Sequence, residues 1–355
     1  MEIITAKSSV LKVTLIGAGA FIITCGMKLS APILNPVLLA GIIWISIVPL
    51  AVWLVHKGLP DWLAIVLTFL VLVVAIVGLI LLTGYSVNLL IESLPQYQDN
   101  LQTQIDSLES ALKNIGLSDD RPNSALDQIN GSQILSYIAS LLGGIMGFLS
   151  NLVFVLMVLV FLLVGTRGFT TTMRRFGSDS ATVPRFNKMV DNLRQYMILT
   201  TWINFLVALV STIFLFFAGV DFAILWGILT FLLGYLPTIG FWLALIPPLA
   251  LAYLQYGAVR ALIVLVGIAV INTVVQNFVQ PKMMGQGLNL APVVVILSLF
   301  FWGWVLGPTG ALLAVPLTLV VKELILEAYD DTSGLARLMD DPSAISAKPS
   351  DSPAN

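Results

Sequence analysis

The stretch NLAPVVVILSLFFWGWVLGPTGALLAVPLTLVVKELILE, from Asn289 to Glu327, decides the fold class. It is apolar over nearly its whole length, yet it breaks in the middle at Leu306-Gly307-Pro308-Thr309-Gly310. As one straight helix it would run roughly 55 Å at 1.5 Å per residue. The hydrocarbon core of a bilayer is about 30 Å thick. One span is too long and two full spans would each be short, so the stretch reads as a Gly/Pro-interrupted helical hairpin in a membrane. Interrupted segments of this kind are where transporters tend to place their substrate sites.

The rest of the chain supports a membrane reading. Of its 355 residues, 58% are hydrophobic and 10% charged, where soluble domains carry about 25% charged residues. The mean hydropathy is +0.98. Apolar runs cover roughly Val10–Met27, Ile33–Val55, Trp62–Leu90, Ile134–Val164, Met197–Gly219 and Val259–Val279. A second over-long run, Phe222–Tyr256, is broken at Pro237-Thr238-Ile239-Gly240 and again at Pro247-Pro248. The expected fold is an all-α polytopic membrane protein of about eight membrane segments: six full spans plus two Gly/Pro-broken segments, either re-entrant hairpins or full spans. The expected organisation is three N-terminal spans (1–91), an extracytoplasmic amphipathic insert (92–132), a C-terminal membrane transport region (133–328) with a basic cytoplasmic loop at 165–196, and an acidic tail (329–355) expected to be disordered.

Lys and Arg set the orientation. Lys7, Lys12, His56 and Lys57, and the group Arg167, Arg174, Arg175, Arg185, Lys188 and Arg194, fall on one side if each run crosses once. The segment Glu92–Ser132 holds only Lys113 and Arg121 among seven acids. Both termini are therefore expected in the cytoplasm and the acidic insert outside. Arg260 and Lys282 favour opposite models for the last third, so the charges leave the hairpin question open.

In the insert, Leu94, Leu101, Leu108 and Ile115 recur at seven-residue spacing, with Tyr97, Ile105, Ala111 and Leu112 in the same stripe. An amphipathic helix follows, suited to coiled-coil-like self-association or to docking on the protein's own surface. The basic segment interleaves its charges with Phe, Met, Leu and Tyr, which fits a helix at an anionic membrane surface or charges that serve topology alone. A short segment tethered between spans does not suit nucleic acid.

Polar residues at membrane depth each need a partner. Asn272, Gln276 and Gln280 recur every four residues and share a helix face, either lining a polar path or bonding neighbouring helices. Asn204 is another amide at that depth. The two breaks free backbone groups that protein, water or ligand must satisfy, and half-helix N-termini there would offer partial positive charge. The candidate substrate-binding residues are accordingly Pro237, Thr238, Gly240, Asn272, Gln276, Gln280, Pro281, Gly307, Pro308, Thr309 and Gly310. Asp221, between two runs, is the candidate for ion coupling. No phosphate-binding loop, metal-ligand cluster or nucleophile–base pair stands out, so no cofactor, metal or catalytic residue is expected. The single Cys25 rules out an internal disulfide.

Gln280-Pro281-Lys282-Met283-Met284-Gly285, Leu290-Ala291-Pro292-Val293, Trp302-Gly303, Gly307-Pro308-Thr309-Gly310 and Val315-Pro316-Leu317 resemble the autoinducer-two exporter (AI-2E) family of bacterial membrane permeases. Leu236-Pro237-Thr238-Ile239-Gly240 and Pro247 resemble that family's other characteristic stretch. The resemblance spans about residues 10 to 327. It implies transport of a small solute across the bacterial inner membrane: export of an autoinducer-2-like signal, or sodium/proton antiport. It also implies homo-oligomers, with pentamers expected. Amides, hydroxyls and broken-helix backbone suit a small polyhydroxylated solute better than a cation. A non-transporting scaffold assembled through the outward helix is the reading from another class.

Overall fold

Helices account for every regular element of the computed structural model, which describes residues 2–114, 131–176, 182–284, 290–327 and Met339. They are α1 (Glu2–Leu29), α2 (Ala31–His56), α3 (Asp61–Asn114), α4 (Gly131–Phe176), α5 (Thr182–Phe217), α6 (Ala223–Leu233), α7 (Ile239–Tyr256), α8 (Ala258–Val274), α9 (Gln280–Met284), α10 (Pro292–Leu306), α11 (Pro308–Leu312) and α12 (Ala314–Val321). One π-helical turn, Val275–Val279, joins α8 to α9, and another, Lys322–Leu326, continues α12. Six helices are long and apolar enough to cross a membrane: Ala31–His56, Asp61–Ser93, Ser136–Leu162, Pro184–Phe217, Ile239–Tyr256 and Ala258–Met283. This set differs from the expected six. It includes the second limb of the first broken run, while the N-terminal run appears as the shorter apolar helix Gly17–Leu29.

Two of the boundaries expected from composition are absent from the backbone. α3 passes from its apolar part into the insert without interruption and stays helical to Asn114. The basic segment 165–196 is helical at 165–176, as the end of α4, and at 182–196, as the start of α5. The change from apolar to polar side chains alters what surrounds a helix, while the backbone bonds that hold it are made within the segment. Residues 115–130, 177–181 and 285–289, together with the acidic tail apart from Met339, lie outside the described residues; Ile115 and Gly285 are among them.

The chain forms two compact units. The first comprises Met1–Ser46, Phe154–Arg194 and Asn289–Asn355; the second comprises Ile47–Val153 and Gln195–Leu288. Each contains one of the broken runs.

In the first unit the break in Asn289–Glu327 is a reversal. Gly307 adopts φ 69° and ψ −153°, a region reached by glycine and hardly by any other residue. α11 and α12 then pack back along α10. The indole Nε1–H of Trp302 donates to Oγ1 of Thr318 at 3.0 Å, and both groups are buried. Sixteen residues of straight helix would hold them about 24 Å apart. Gly310 seals the close approach, since a Cβ there would overlap the carbonyl oxygen of Trp302 and crowd Leu306. α1 lies on α10, with the Lys28 ammonium 4.1 Å from the centre of the Trp304 ring. From α2, the Asn35 amide donates to the Leu306 carbonyl at 3.0 Å, next to the turn.

The second unit repeats the device. α6 and α7 pack against each other and reverse through Gly234–Thr238. A Cβ on Gly240 would overlap the carbonyl oxygen of Leu233 and press on Leu236. At the open end, Tyr256 donates its hydroxyl to the Gly219 carbonyl at 3.0 Å, and the Gln255 side-chain amide donates to the Asp221 carboxylate. α7 then turns at Gly257 and packs against α8, and both limbs of the hairpin touch α3.

Candidate functional site

The tip of the α6–α7 hairpin carries one of the two non-glycine residues with positive φ among the described residues. Thr238 sits at φ 63° and ψ −54°, and the Ile239 amide donates to the Pro237 carbonyl at 2.6 Å. A bond across one residue with positive φ makes a γ-turn, a conformation that is rare and strained, and more so for a β-branched residue. Such strain concentrates at functional positions. The Gly240 amide is held by the Leu236 carbonyl at 3.1 Å. The expectation of free half-helix amides is therefore not met at the first two residues of α7: both N–H groups are used inside the tip.

Beside this tip lies a cavity of 240 Å³, lined wholly by residues of the second unit. The tip supplies Gly234, Tyr235, Leu236, Pro237, Thr238 and Gly240. α8 and its continuation supply Asn272, Gln276 and Gln280, and α5 supplies Tyr196, Thr200 and Asn204. The remaining lining is mostly aliphatic, including Ile203, Val207 and Leu245. No Asp, Glu, Lys or Arg is among the described residues that line it. Within the wall, Gln276 Nε2 donates to Asn272 Oδ1 at 3.1 Å, and the hydroxyl of the lining Tyr235 shares a hydrogen bond of 2.8 Å with Oγ1 of Thr201 on α5.

The π-helical turn explains how three amides reach one cavity. Residues four apart in an α-helix are offset by about 40° around the axis, so Asn272, Gln276 and Gln280 would drift by about 80°. In the turn Val275–Val279 the Gln280 amide reaches the Val275 carbonyl, five residues back. The wider turn takes up more residues per revolution and offsets that drift.

Six of the expected residues therefore gather here: Pro237, Thr238, Gly240, Asn272, Gln276 and Gln280. Pro281 is exposed on α9 and is not among the lining residues. Gly307, Pro308, Thr309 and Gly310 belong to the first unit, where they form the turn of the α10–α11 hairpin. Asp221 is exposed at the open end of the other hairpin, bonded to Gln255. Tyr196, Thr200 and Tyr235 were not expected at the site. The signal was present for the first two: Tyr196, Thr200 and Asn204 repeat the four-residue step of the α8 stripe.

The chain matches the model of the AI-2E family transporters over residues 16–330. It belongs to that family. Over 335 residues it is 34% identical to the AI-2 transport protein TqsA of Escherichia coli K12, an alignment covering 93% of this chain and 96% of the relative. A provisionally named transport protein of Haemophilus influenzae Rd is 33% identical over 92% of this chain and 96% of its own length. Another so named, YhhT of Escherichia coli K12, is 29% identical over 91% and 92%. As an AI-2E family transporter with several membrane-spanning helices, the chain is a multi-pass membrane protein whose work is transport and not catalysis.

Proposed function

We propose that this AI-2E family member is a secondary transporter that exports a small, neutral, polar organic solute of the autoinducer-2 kind, and that the α5/α6–α7/α8 cavity is its binding site. The observation that carries the reading is the chemistry of the cavity wall: amides and hydroxyls, with no charged side chain among the described residues that line it. Such groups match the hydrogen bonds of a polyhydroxylated molecule. A cation would find amide and hydroxyl oxygens among these described residues but no carboxylate to offset its charge. The volume of 240 Å³ is below the roughly 300–1,000 Å³ of drug-sized sites and suits a small metabolite.

In this reading the short limbs α6 and α10, 11 and 15 residues long, enter the bilayer without crossing it. At about 16 and 22 Å they fall short of the hydrocarbon thickness. With α6–α7 and α10–α12 each returning to the side they enter from, the crossings are α1, α2, α3, α4, α5 and α8. That makes six crossings and two re-entrant hairpins, with both termini in the cytoplasm and the inner membrane of a bacterium as the setting. Self-association into a homo-oligomer, a pentamer by family likeness, completes the proposal. The competing antiport reading rests on family likeness and Asp221, which stands outside the cavity wall.

Flux into and out of proteoliposomes, measured for AI-2, ribose and sodium, tests the reading. AI-2 or ribose should move, and Gln276→Leu should cut that flux at least tenfold while the protein still folds. Sodium movement coupled to protons, without flux of either organic solute, would replace this reading with antiport.

A further inference from the structure

Asn204 stands apart from the other amides of the cavity. Asn272 and Gln276 bond to each other. Asn204 is only 8% exposed, and its amide nitrogen has no hydrogen-bond partner among the described residues. A buried amide left unpaired destabilises the fold, and an apolar side chain at 204 would be the stabler choice for packing alone. The position is also cleared for this group. Gly234, at the start of the tip, lies so close that a Cβ there would come within 2.6 Å of Asn204 Oδ1. Any side chain at 234 would push the amide from its place. A half-turn about χ2 exchanges the two ends of the amide and so presents either its oxygen or its nitrogen to the cavity.

We infer that Asn204 is the residue that recognises the solute, its amide donating to a carbonyl or hydroxyl oxygen of a neutral, polyhydroxylated molecule, with Gly234 holding the space that lets it do so. The inference rests on the transport reading above and names the group that selects the substrate. It accounts for an unpaired amide that packing alone does not explain. The bound solute supplies the missing acceptor, so affinity and the cost of the empty site have the same origin.

Thermal unfolding of the purified full chain, with and without AI-2, tests it alongside flux. Asn204→Leu should unfold at or above the wild-type temperature without solute, lose the stabilisation by AI-2, and raise the KM for AI-2 flux about tenfold to a hundredfold. Asn204→Asp keeps the shape but replaces the donor, and should lose AI-2 equally. Gly234→Ala should reproduce the loss with Asn204 intact. An Asn204→Leu protein that unfolds well below wild type in the absence of solute would show a structural amide and overturn the inference. A KM within twofold of wild type in both Asn204 variants would also overturn it. If AI-2 and ribose neither stabilise nor cross with wild type, the transport reading falls by itself, and the solute-free unfolding of Asn204→Leu then decides whether the amide is structural.

Discussion

The hairpins α6–α7 and α10–α11–α12 are built to one plan and finished differently. Each reverses at a residue with positive φ, Thr238 in one and Gly307 in the other. Each places a glycine in the following helix, Gly240 or Gly310, against a backbone carbonyl of the preceding limb. Each has a leucine four residues before that glycine, Leu236 or Leu306, completing the contact. The difference is in what the polar groups do. In the second hairpin they close on each other, Trp302 onto Thr318, in a buried bond between the limbs. In the first, the polar groups around the tip line a cavity, and a strained threonine takes the place that glycine fills in its counterpart. One hairpin satisfies itself, and the other leaves bonding capacity for something else.

The shared plan is most exposed at its glycines. Gly240→Ala and Gly310→Ala should each destabilise by about 3 kcal/mol or more, because the overlapped atom is a backbone carbonyl that moves only if the limbs separate. Unfolding temperatures in detergent check this, and tolerance at one site alone would break the parallel. The next contrast separates the roles. Trp302→Phe should cost about 1–3 kcal/mol by orphaning Thr318 inside the hairpin, with the KM for solute unchanged. Gln276→Leu, on an exposed residue, should do the reverse, cutting flux with stability held within about 0.5 kcal/mol. Equal effects of both on flux would dissolve the distinction.

The turn residues give a smaller, oppositely signed pair. Gly307→Ala should lose about 1–3 kcal/mol, since its backbone conformation is nearly closed to other residues. Thr238→Gly should gain about 1 kcal/mol as the γ-turn strain is relieved and part of the gain goes to added freedom in the unfolded chain. Chemical denaturation measures both, and a loss at Thr238→Gly would argue that the turn is unstrained. Least affected should be Asp221→Asn. Asparagine can still accept from Gln255, so unfolding and organic-solute flux should match wild type. Abolished sodium-dependent proton movement in everted vesicles would instead restore Asp221 to the mechanism.

Much of this was legible in the residues. The breaks at 237–240 and 307–310 follow from proline and glycine chemistry, and the α8 amides from a four-residue step. The ends of α3 and α4 were hidden because composition changes where the backbone does not. Asn204 was visible as an amide at depth, but nothing local said that it would lack a partner.

By itself, the sequence determined that this is a helical membrane protein, where its long apolar runs break, and which family it resembles, because hydropathy and Gly/Pro backbone preferences act locally. Tertiary structure alone decided that both breaks are reversals. Arg260 and Lys282 tie in the charge rule, whereas the contact of Trp302 with Thr318 and the bond from Tyr256 to Gly219 are made only if the limbs fold back. It also decided which amides meet. A π-helical turn and the packing of α5 beside the first hairpin bring side chains from three segments to one cavity, and distances between segments are not written in any one of them.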